Sequence, residues 1–169
     1  MQSRRIIGGE QANLIAESDS WFKTDIDSMY IGYEYPIAIQ LPLPTTQELI
    51  ELLFSSSYDD EVIGACLLLK DNEACEQMEF RQELLDELKK SDVRKLSAGQ
   101  KKRIARIITL TELNHAENRR EVIGKSIKEV ERDYNDFSEM ALKAENILKQ
   151  TRPNLLERFL NRIGMRTAK

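Results

Sequence analysis

A single histidine, His115, limits the chemistry open to this chain of 169 residues. Paired-imidazole acid–base schemes and His-rich metal sites each need a second one. Glu112-Leu113-Asn114-His115 carries the Glu-x-x-His spacing of di-iron helix bundles. Such a site draws that motif from each of two helices, and here it occurs once. Gly8-Gly9 is not followed by a phosphate-loop pattern. No catalytic set, metal or cofactor is therefore expected, and charge is the chemistry that remains.

Carboxylates gather at Asp59, Asp60 and Glu61, and again at Glu73, Glu76, Glu79 and Glu83. On one helix Glu76, Glu79 and Glu83 share a face, where like charges cost about 0.2–0.5 kcal/mol per pair. They form either a solvated face or a docking face for a basic protein. Trp21, Tyr30, Tyr33 and Tyr35 crowd the first part of the chain. Aromatic side chains of this kind pack on helices or supply large contact area to a partner at little entropic cost. Lys101, Lys102, Arg103 and Arg106 occupy the first turns of an expected helix, where cations oppose the helix dipole. They make anion or nucleic-acid binding the alternative, although no aromatics interleave with them.

The net charge of −4 conceals a division. Residues 1–100 hold 19 acidic and 9 basic side chains, and residues 101–169 hold 10 and 16, giving −10 and +6. Either the halves attract within one fold, or the acidic half meets a basic partner, where complementary charge speeds encounter. No apolar run nears the ~20 residues that span a bilayer. The N-terminal residues lack a secretory apolar core, and Cys66 and Cys75 show no disulfide framework. A cytoplasmic protein with free thiols is expected.

These side chains must be positioned mostly by helices. Thr45-Thr46-Gln47-Glu48 and Ser97-Ala98-Gly99-Gln100 are capping boxes that open helices. Acidic Asp59-Asp60-Glu61 suits the start of another, followed by Val62, Ile63, Cys66, Leu67 and Leu69, with Asp71-Asn72 ending it and a third running from Glu73 to Lys90. From Ala116 to Gln150 the apolar positions Ile123, Ile127, Val130, Tyr134, Phe137, Ala141, Ala144 and Leu148 recur at steps of three and four, which predicts one long helix. Pro153 opens a last short helix with Leu155, Leu156, Phe159, Leu160 and Ile163 on one side. Before Thr45 the pattern changes. Ile37, Ile39, Leu41 and Leu43 alternate, while Pro36, Pro42 and Pro44 each lack a backbone donor. Residues 1–44 thus read as an extended arm or edge strand, and residues 45–169 as one helical domain.

The stretch Ser57–Leu69, with its acidic cap before a small-and-aliphatic stripe, resembles the second helix of HEAT-type repeats. The resemblance covers about residues 45–70 and extends to small helical bacterial immunity and inhibitor proteins. It implies an all-α fold, an irregular bundle or short α-solenoid, and protein binding as the activity. The expected function is that of a monomeric, non-enzymatic inhibitor or immunity-type binder masking a basic protein. An assembly adaptor is the second expectation.

Overall fold

The computed structural model describes residues 4–16, 18–28 and 31–152. In chain order these form β1 (Ile6–Gly8), α1 (Glu10–Asn13), β2 (Trp21–Ser28), β3 (Tyr33–Gln40), α2 (Thr46–Ser55), α3 (Asp59–Glu76), α4 (Arg81–Lys89), a 3-10 turn (Val93–Lys95), α5 (Ala98–Leu110) and α6 (Ile127–Thr151). Helix α3 is apolar on most sides from Val62 to Leu69, so it must be covered all round. The sheet covers it on one side, and α2 and α5 on others. Gly64 makes the sheet contact possible. A Cβ there would lie 2.7 Å from the Ile6 Cγ2 methyl, closer than packed carbons approach. Helix α6 packs on α5 and α4. One core joins Ile6, Ile26, Tyr35, Ile37 and Ile39 of the strands to Leu49, Leu67, Ile107 and Phe137 of the helices.

The fold is mixed α/β, which overturns the expected all-α bundle with an extended arm. Residues 6–40 hold a three-stranded antiparallel sheet in the order β1-β3-β2. Strand β3 lies in the centre despite Pro36. That residue pairs beyond the end of β1, where its carbonyl still accepts the Gly9 amide at 2.9 Å. Its missing donor would point past β1, so the ladder loses little there. Pro42 and Pro44 follow the strand.

The long helix is shorter than its apolar period suggested. It begins at Ile127, where Ser126 and Glu129 form a capping box, and not near Ala116. Gly124 just before it adopts φ 80°. Phe137, Ala141 and Ala144 of the stripe are buried, but Ile123, Ile127 and Tyr134 are exposed. Helix α3 runs through Asp71-Asn72 and stops at Gln77, whose left-handed φ of 56° separates it from α4. The two predicted capping boxes, Thr45 with Glu48 and Ser97 with Gln100, both form. The apolar positions after Pro153 lie outside the described residues. Among the described residues no helix is long and apolar enough to cross a membrane.

Candidate protein-docking surface

Several of the carboxylates turn inward. Glu61 is buried, and its Oε1 accepts the Arg5 and Ile6 amides at 2.8 and 3.1 Å. The Ser56 hydroxyl donates to its Oε2 at 2.5 Å. Asp60 accepts the Gly8 amide at 3.2 Å and pairs with Arg4. The first turn of α3 therefore holds the outer edge of β1. Its acids are also placed where a helix N-terminus favours negative charge.

Glu73 is buried with Arg81, whose Nε donates to both carboxylate oxygens at 3.0 and 2.9 Å. The Arg81 Nη1 goes on to the Glu112 and His115 carbonyls at 3.2 and 2.9 Å. The guanidinium lies 4.9 Å from the centre of the Phe137 ring. Glu79 receives a two-pronged bond from Arg120 at 2.6 and 3.0 Å, and Arg120 also reaches Asp133 and Asp136. Asp59 pairs with Arg106 at 2.9 Å, a bond that holds its carboxyl below the ordinary value. Glu76 and Glu83 remain exposed, and among the described residues neither forms an ion pair. They stand on α3 and α4, on either side of the break at Gln77, and not on one helical face.

The cationic cluster is half consumed. Arg103 donates from Nε to the Leu53 carbonyl at 2.7 Å, satisfying the end of α2, and burial lowers its pKa. Arg106 is the partner of Asp59. Lys102 is exposed and Lys101 half-buried. The aromatics scatter as well. Tyr35 is buried against Gly8 and Gly9, Trp21 opens β2 half-buried, Tyr33 opens β3, and Tyr30 lies outside the described residues.

Strand β2 carries a signal of its own in the sequence. Phe22, Thr24, Ile26 and Ser28 alternate with Trp21, Lys23, Asp25 and Asp27, a period of two in β-branched and aromatic residues. Ile26 and Ser28 are buried, so the first set faces the helices. The register places Asp27 opposite Glu34 on the other face, where like charges destabilise a pair. Between β2 and the C-terminal half of α3 runs a groove of about 250 Å³. Phe22, Thr24, Leu43 and Leu68 line it, with Asp71 and Glu76 on the α3 side. That volume is below the roughly 300–1,000 Å³ of small-molecule sites and suits one or two side chains. Cys75 also lines it. Its thiol is exposed and the Asp71 carboxylate pushes its pKa up, which makes it a weak nucleophile at neutral pH. Among the described residues no three His, Cys, Asp or Glu are grouped to hold a metal ion.

No protein-family model matches the chain, and neither does any curated protein or solved structure.

Proposed function

We propose that this protein is a non-enzymatic binder that masks a basic protein through the acidic surface of its first half, as an inhibitor or immunity-type protein does. The observation that carries the reading is the contrast in how charge is used. Of the four clustered cations, Arg103 and Arg106 are committed to the chain's own Leu53 carbonyl and Asp59. Among the described residues, Asp25, Asp27, Glu76 and Glu83 form no ion pair with a cation. Unpaired carboxylates gain little for folding and steer encounter with a positive partner. The reading places the protein in the cytoplasm, supported by the free thiols of Cys66 and Cys75.

The test is capture from native lysate by the immobilised chain, compared with a variant carrying Asp25→Asn, Asp27→Asn, Glu76→Gln and Glu83→Gln. A basic protein retained at low salt by the first and lost by the second is the expected result. Retention of nucleic acid instead, abolished by Lys101→Ala with Lys102→Ala, would overturn the reading.

A further inference from the structure

Among the described residues the sheet ends in two edges, of which one is closed. On β2, the residues opposite β3 alternate between those bonded into the ladder and those turned away from it. The Leu41 amide donates to the Ser20 carbonyl at 2.9 Å, which sets the phase. Phe22, Thr24, Ile26 and Ser28 are then the bonded set. The N–H and C=O groups of Lys23, Asp25 and Asp27 point to the open side. Among the described residues nothing pairs with them. Trp21, one step earlier, is closed off by its own turn, its amide donating to the Ser18 carbonyl at 3.1 Å.

Beside this open edge, Leu68, Asp71 and Glu76 of α3 lie across the groove from Phe22 and Thr24. The groove's inner lining continues the inward row of β2 through those two residues. Phe22 and Leu43 leave about half of their surface exposed there. A strand laid along β2 would therefore find unpaired backbone groups at its side. Its alternate side chains would fall into a pocket of the right size. Carboxylates mark both sides of the position: Asp25 and Asp27 on the outer face, Asp71 and Glu76 in the groove, with Lys23 on β2 the cation beside them. The Lys23 ammonium already donates to the Asn13 carbonyl at 3.3 Å.

We infer that β2 is a strand-addition site, taking an extended segment of a partner protein in which apolar and basic residues alternate. The apolar residues enter the groove and the Lys or Arg residues face Asp25 and Asp27. Main-chain hydrogen bonds supply affinity in this mode, and alternate side-chain pockets supply specificity. Opposite charges directly across a strand pair add to it. The negative rim also disfavours a second copy of this same edge, because Asp25 and Asp27 would meet their own kind. This inference rests on the reading of the chain as a binder of basic proteins, and it names the element that does the binding.

The experiment uses the whole chain and an eight-residue synthetic peptide alternating valine and lysine, followed by amide hydrogen exchange in NMR spectra. In the free protein the Lys23, Asp25 and Asp27 amides should exchange fast, and those of Phe22, Thr24 and Ile26 slowly. Adding the peptide should protect the first three and leave the others as they were. A valine–glutamate peptide should leave all six amides exchanging as in the free protein. Asp25→Pro, which removes an edge donor without touching the ladder to β3, should abolish binding. Glu76→Lys, at an exposed position, should weaken it by about tenfold. Binding of the peptide without protection of those three amides overturns the strand-addition site and leaves the acidic-surface reading standing. Absence of binding by the valine–lysine peptide at millimolar concentration overturns the inference as well. If a basic protein is still captured from lysate, only the strand mechanism has failed. Protection of the three amides that appears without peptide and grows with protein concentration would assign the edge to a second copy, and overturns the partner.

Discussion

The outer edges of β1 and β2 meet the same physical problem in opposite settings. The edge of β1 lies under the first turn of α3, with Ile6 and Gly8 buried, and each buried amide there needs an acceptor. Asp60 and Glu61 provide it for Arg5, Ile6 and Gly8. The edge of β2 lies at the surface, where water serves its amides, and charged side chains mark it instead. The comparison teaches that a carboxylate's role follows from where the backbone beside it sits. An acid above buried amides becomes part of the fold, and an acid beside exposed ones remains available.

Glu61→Ala is the strongest way to break that contrast. It leaves two amides and the Ser56 hydroxyl without their acceptor, each worth about 1–3 kcal/mol when buried. A loss of about 3–5 kcal/mol in urea unfolding is expected, with Glu61→Gln intermediate because one oxygen remains. A loss no larger than that of a surface substitution would mean that β1 is held by packing alone.

Gly64→Ala attacks the same junction by shape. The new methyl would sit 2.7 Å from Ile6 Cγ2. Overpacking of that kind costs about 1–3 kcal/mol, offset in part by about 1 kcal/mol of helix propensity. A net loss of about 1–2 kcal/mol is expected, and Ile6→Leu, which lacks the Cγ2 methyl, should recover some of it in a double-mutant cycle.

At the β2 edge the effects should be small and of the other sign. Asp27→Asn removes a like-charge pair with Glu34 and should stabilise the chain by about 0.2–0.5 kcal/mol at low salt, fading as salt rises. A marked destabilisation would show that Asp27 has a partner inside the fold and that the two edges are alike.

Much of the helical layer was legible in the residues. Thr45 with Glu48 and Ser97 with Gln100 are local signals, complete within four residues, and both cap the helices they announce. The sheet was not legible, because its evidence is distributed. Ile6-Ile7-Gly8 is too short to show a period, and Pro36 argues against a central strand unless the neighbouring strand is known to end beside it. The start of α6 is hidden for a related reason. Ile123 keeps the helical phase of Ile127 and Val130, yet its segment is held in turns by Arg120 through Glu79, Asp133 and Asp136. Acids such as Glu61 and Glu73 look in sequence like any exposed carboxylate. Only the arrival of the Arg5 and Ile6 amides, or of Arg81, distinguishes them.

Arg81 has a consequence for how the chain resists proteases. Residues 111–126 connect α5 to α6 without regular structure, and a connection of that length is where nicking usually concentrates. Cleavage requires a segment to leave the surface and stretch into an enzyme's cleft. Here the guanidinium of Arg81 holds the Glu112 and His115 carbonyls, while Glu112 is gripped from its other side by Lys70 and Arg119. Opening the first part of the connection tears Arg81 from the Glu112 and His115 carbonyls, and the basic sites after Arg119 and Arg120 gain a second anchor in Arg120 itself, through Glu79, Asp133 and Asp136.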